Sequence, residues 1–234
     1  MTDGIPHTSA QYENELQEVK DNLIYMGVLV EKAITKSIEA LLQRNYELAR
    51  AVIADDDQID RLDVAIEDKC IRLLALRQPA ARDLRFITTA IKINGHLERI
   101  GDMAVTIGKK VLKLNEEAQL KPYIDIPRMA DITKGMIRES IDAFVTEDLE
   151  LANKVRRDDE KVDNLNEQIF RELLTFMMED ARTIHRGLII MQISKSLERI
   201  SDHAKGIADM VVYMVTGKSV RHEEPLEEEN ITKQ

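Results

Sequence analysis

The chain has 234 residues, enough for one large domain or two small ones with real cores, and 32% of them are charged while only 4% are aromatic, with no Trp. A formal net charge of −10 argues against nucleic acid as a partner, because phosphate neutralisation needs an excess of Lys and Arg. The single Cys70 excludes an intrachain disulfide, and no apolar stretch free of charges is long enough to cross a bilayer. The N-terminal MTDGIPHTSAQYENE lacks the basic start and apolar centre of a signal peptide, so a cytoplasmic location is expected.

Leu, Ile, Ala and Met dominate the apolar set, a composition that favours helices over sheets. A first helix is expected over about 9–44, with Leu16, Val19, Leu23, Met26, Val30 and Ala33 recurring every three or four residues, and Asn45 as its stop. The second runs over about 47–77, with Ile59, Leu62, Ile66, Cys70 and Leu73 turned inward. Pro79 breaks the chain before a third helix over about 81–114, whose stripe is Phe86, Ala90, Ile93, Leu97, Ile100, Ala104 and Ile107. A linker with Pro122 and Pro127 follows, then helices over about 128–145, 148–178 and 181–216. No segment alternates apolar and polar residues as a strand would.

The second half repeats the first. At an offset of 103, Ile34, Ser37, Ile38 and Ala40 fall on Ile137, Ser140, Ile141 and Ala143, and Asp56, Asp60, Leu62 and Ile66 fall on Asp159, Asp163, Leu165 and Ile169. After a three-residue slip near Pro79 the offset becomes 100, and LERIGD at 97–102 meets LERISD at 197–202. The expected fold is therefore all-α: two tandem antiparallel three-helix bundles over 9–117 and 124–217, followed by an acidic tail over 218–234.

Carboxylates interrupt the helical stripes in a repeated way. Glu98 and Asp102 stand at i and i+4 on a face shared with Ile87, Ile91, Gly95 and Val105, while Arg85, Lys92, Arg99 and Lys110 lie elsewhere. On the second helix Asp56, Asp60, Asp63 and Glu67 form an acidic stripe beside the apolar seam. Like charges at this spacing repel, and a cation between two facing stripes reverses the sign of that cost. If the helices are neighbours, Asp56, Asp60, Glu98 and Asp102 form one oxygen-only quartet, and Asp159, Asp163, Glu198 and Asp202 form another. Such a donor set suits Mg²⁺, Mn²⁺, Ca²⁺ or iron better than a thiolate metal. Between 83–113 and 183–213 only nine of 31 positions are identical, and five of those lie in LER-I-x-D; packing explains the Leu and Ile but not the two acids.

Asp63 and Glu67 have Asn166 and Phe170 opposite them, so neither belongs to a site common to both halves. His203 adjoins Asp202, but its counterpart is Met103, which favours packing; Arg99 and Arg199 are expected to pair with an acid on a neighbouring helix. No Glu-x-x-His occurs, against the ferritin-like di-iron pattern, and there is no Gly-rich phosphate loop or nucleophile elbow.

QPAARDLR at 78–85, LERIGD, DDDQID at 55–60, LERISDHA at 197–204 and YMVTGKSVRH at 213–222, taken together and in order, resemble the PhoU family of phosphate-transport accessory and signalling proteins. The resemblance implies two similar three-helix bundles and multinuclear sites for a divalent or trivalent metal (iron, manganese, magnesium or zinc) on paired acids. Here those acids are Asp56, Asp60, Glu98 and Asp102, and Asp159, Asp163, Glu198 and Asp202. It also implies a non-enzymatic homodimer that links the ATPase subunit of the phosphate importer to a membrane sensor histidine kinase and represses the starvation response when phosphate is plentiful. The family often has Asn where this chain has Thr106 and Gly206. Two other readings compete: a carboxylate-bridged metalloenzyme for oxidation or phosphoester hydrolysis, and a purely structural helical scaffold.

Overall fold

A computed structural model describes the backbone of residues 5–220. Six α-helices follow in order among these residues: α1 (Ile5–Gln43), α2 (Tyr46–Arg77), α3 (Ala81–Leu114), α4 (Asp125–Thr146), α5 (Leu149–Glu179) and α6 (Ile184–Thr216), with a 3₁₀ turn at Ala181–Thr183 before α6. The described residues contain no strand. From residue 221 onward, the expected acidic tail lies outside the described residues.

The helix ends follow local chemistry. Asn45 does more than stop α1: its side chain accepts the amide hydrogens of Glu47 and Leu48 and so starts α2. Asp148 plays the same part for α5, accepting from Glu150 and Leu151. Pro127, expected in the linker, instead sits in the first turn of α4. Its missing N–H costs nothing there, because the first amides of a helix have no partner within it. Asp180 accepts from the Arg182 amide and sets the 3₁₀ turn that delays α6.

Three helices pack in each half, and the halves join helix to equivalent helix: α1 on α4 and α3 on α6. One continuous apolar core results, running from Val19, Leu23 and Met26 through Ile93, Leu97 and Ile100 to Ile193, Leu197 and Ile200. The inward stripes expected on α2 and α3 are buried, with Leu62 only partly so. Phe86 and Phe144 stack across the two halves with centroids 5.2 Å apart. Polar contacts lace the same seam: Arg138 donates to Glu31 at 2.6 Å, Arg82 to Glu147 at 2.8 Å, and Arg85 to the Met214 carbonyl at 3.0 Å. Among the described residues no helix is long and apolar enough to cross a membrane.

Phe144 is fully buried. Phe144→Ala removes both its own packing and the ring partner of Phe86, and is expected to lower the unfolding free energy in urea by about 3–5 kcal/mol.

Candidate metal grooves

In each half the long second and third helices pack side by side, α2 on α3 and α5 on α6. Their close approach depends on small residues. A Cβ on Gly101 would lie 3.2 Å from Ile59 Cδ1 and 3.3 Å from Asp56 Oδ1, so glycine lets α2 bring Asp56 against α3. Ser201 fills the equivalent place on α6, fully buried, with its hydroxyl turned back to donate to the Glu198 carbonyl at 2.7 Å. The one letter by which LERIGD and LERISD differ thus falls at a buried position in both halves.

The acids of each expected quartet line the groove between its two helices and influence one another through their charges. In the first groove, Asp56 is half-buried and Asp60 and Asp102 are exposed at the rim. Burial, then the charges of Asp60 and Asp102, push the Asp56 carboxyl up from 3.8 to about 6. Burial and Asp102 also raise Glu98, against the opposing charge of Arg99. In the second groove Asp159 is buried, Glu198 is half-buried, and Asp163 and Asp202 form the rim. Asp202 rises to about 6 through burial and the charges of Glu198, Asp159 and Asp163, and Asp163 rises through burial, Asp159 and Glu198. In both grooves carboxylates of two helices thus act on one another, and in the first groove Asp63 also acts on Glu98.

The grooves differ in their cations. Lys205 donates to Asp159 Oδ2 at 2.7 Å, and Lys195 to Glu198 Oε1 at 2.6 Å. The corresponding positions in the first half hold Val105 and Gly95. There, Arg99 lies 3.6 Å from Glu98 on its own helix, rather than pairing with a neighbouring helix as expected, and Lys109 lowers Asp56 only through its charge.

The donor set is all oxygen, its charge exceeds what neighbouring cations neutralise, and Asp159 Oδ1 and Glu198 Oε2 are buried without a hydrogen-bond partner. Those features fit a hard, multivalent cation. Among the described residues, no three His, Cys, Asp or Glu side chains already stand in a coordinating arrangement.

Asp63, set apart from the quartets by sequence, has a bridging role. The Asn94 amide donates to its carbonyl at 2.9 Å and to its carboxylate at 2.6 Å. In the second half the same link runs from the Ser194 hydroxyl to Asn166 Oδ1. Glu67 is exposed on the outer side of α2, and Cys70 is buried, its thiol pushed up to about 11 by burial.

Sequence reasoning missed a histidine pair. His96 of α3 and His203 of α6 face each other Nδ1 to Nδ1 at 3.0 Å across the junction of the two halves. Gly206 makes room for it: a Cβ there would lie 2.6 Å from His96 Cε1. The two positions are not equivalent in the repeat, so no self-comparison could have paired them.

The fold and grooves define a class: tandem three-helix bundles, each with an acid quartet across its second and third helices. The family model described as the PhoU domain matches residues 23–111 and 126–211, one match in each half. The chain belongs to the PhoU family. It is 41% identical over 217 residues to the phosphate-specific transport system accessory protein PhoU homolog of Pseudomonas putida, covering 92% of this chain and 85% of that one. It is 44% identical over 209 residues to the homolog of the same name from Aquifex aeolicus, covering 89% and 95%. The crystal structure of PhoU from Pseudomonas aeruginosa superposes with a TM-score of 0.85 at 40% identity, over 88% of this chain and all of that one. The phosphate transport system regulatory protein PhoU from Streptococcus pneumoniae superposes with a TM-score of 0.82 at 29% identity, covering 89% and 99%.

The raised Asp56 carboxyl has a pH consequence. Its proton is held more tightly in the folded chain than in the unfolded one, so the contribution of Asp56 to the stability of the metal-free protein falls as pH rises from 3.8 to about 6. Asp56→Asn removes that dependence. Melting temperatures of metal-free wild type and variant are expected to diverge in favour of the variant as pH climbs through that window, then run parallel above it.

Proposed function

We propose that the chain is a metal-binding accessory regulator of phosphate uptake and of the phosphate-starvation response. In this reading it acts on the cytoplasmic side as an adaptor between the ATPase subunit of the phosphate importer and a membrane sensor histidine kinase, and it represses the response when phosphate is plentiful. The names carried by its relatives support the transport part of the reading.

The observation that carries the metal part is the duplicated quartet. Two helices in each half carry four carboxylates along one groove, and burial raises the cost of charge on Asp56 and Glu98 in the first and on Asp163 and Asp202 in the second. In the first groove Asp56, Asp60, Glu98 and Asp102 would hold the ion; in the second, Asp159, Asp163, Glu198 and Asp202 would do so. An ion bridging α2 to α3 and α5 to α6 would neutralise the repulsion and stiffen the face each groove presents. Iron, manganese, magnesium or zinc would meet the oxygen donor set, the harder ions best. Function through a stiffened docking face requires no turnover, which is why we place the protein among regulators rather than enzymes. A homodimer is part of the same reading.

The test joins the site to the role. Glu98→Ala with Asp102→Ala is expected to lower bound metal, measured by elemental analysis of the purified chain, and to switch on a starvation reporter in phosphate-replete cells. Repression that survives loss of the metal would detach the groove from regulation.

A further inference from the structure

We propose that the two grooves are unequal: Lys205 and Lys195 act as built-in counter-ions of the second groove, so that a divalent cation loads the first groove first and enters the second only by displacing them. This inference rests on the reading of both grooves as cation sites.

Three observations carry it. The Lys205 ammonium reaches across from α6 to Asp159 on α5 at 2.7 Å, the same helix-to-helix span that a bridging ion would make. Lys195, one turn before Glu198, donates to it at 2.6 Å. Each lysine engages one oxygen of its carboxylate and leaves the other, Asp159 Oδ1 and Glu198 Oε2, buried and without a hydrogen-bond partner. Buried carboxylate oxygens in that state still favour a cation, so the lysines occupy the groove without completing it.

The first groove has the same four acids and neither lysine. Val105 and Gly95 stand at the two positions, and a Cβ at Gly95 meets open space, so nothing steric forbids a lysine there. Its cations are held more loosely: Arg99 is 3.6 Å from Glu98, and Lys109 acts on Asp56 through its charge without a hydrogen bond. A charge-assisted hydrogen bond must be broken before an ion can take its place on Asp159, whereas Asp56 requires no such exchange. An entering ion therefore gains the full relief of repulsion in the first groove and only part of it in the second.

The test is a Mn²⁺ titration of the metal-stripped full chain, followed by paramagnetic broadening of backbone amides, which reports each groove separately. Amides around Asp56 and Glu98 are expected to broaden at Mn²⁺ concentrations about tenfold below those needed around Asp159 and Glu198. Lys205→Met keeps the aliphatic stem and is expected to bring the second midpoint toward the first. Gly95→Lys, at an exposed helical position, is expected to weaken the first groove about tenfold, and it decides the matter if the buried Asp159 left by Lys205→Met prevents folding. Coincident broadening of both grooves, a second groove that fills first, or midpoints unmoved by the lysine substitutions would overturn the inequality while leaving both cation sites standing. No broadening at either groove would overturn the cation reading and this inference with it.

Discussion

The physical constraint on which the rest depends is the enforced nearness of like charges. Apolar seams pull α2 onto α3 and α5 onto α6, and those seams cannot close without carrying Asp56 and Asp159 toward Asp102 and Asp202. Burial of Ile59, Ile66, Ile93, Leu97 and Ile100 holds the first pair of helices together far more strongly than a few carboxylates can push them apart. Burial first, and the neighbouring carboxylate charges second, raise the proton affinity of Asp56 in one groove and Asp202 in the other. A proton, an ammonium or a metal ion each relieves that cost, to a degree set by its charge and its distance from the carboxylates.

The two halves meet that constraint by different means. The second half has acquired internal cations: Lys205 on Asp159, Lys195 on Glu198, and the Arg156–Asp209 pair at 2.8 Å nearby. The first half leaves its quartet open and makes its close helix approach with Gly101 instead of Ser201. Duplication thus supplied two copies of one architecture, and drift outside the acids gave them different charge environments. Junction residues diverged further, since His96 meets His203 across the halves through space that Gly206 leaves free.

Much of this was legible in the chain itself. The period of the apolar residues and the position of Pro79 placed α3 at its observed bounds, and the self-comparison singled out LER-I-x-D and its two acids. Local rules erred at the helix ends. Pro127, expected in the linker, sits where a helix start tolerates it, and Asn45 not only ends α1 as expected but also caps α2. Asp63 and Asn166 looked like unrelated residues. Across the groove they are matched by Asn94 and Ser194, so that a polar bridge is kept while its chemistry is exchanged, a link only the pairing of helices reveals.

What the sequence by itself determined was the set of six helices, their duplication and the four i, i+4 acid pairs, because helix period and i, i+4 spacing are properties of the chain alone. Tertiary structure decided which helices are neighbours, and with that the contacts that join positions far apart in sequence: α3 on α6, Phe86 on Phe144, His96 on His203, Lys205 on Asp159. Those pairings follow from packing two long-helix bundles into one core, where the neighbour of a side chain is fixed by helix crossing and close approach rather than by its distance along the chain.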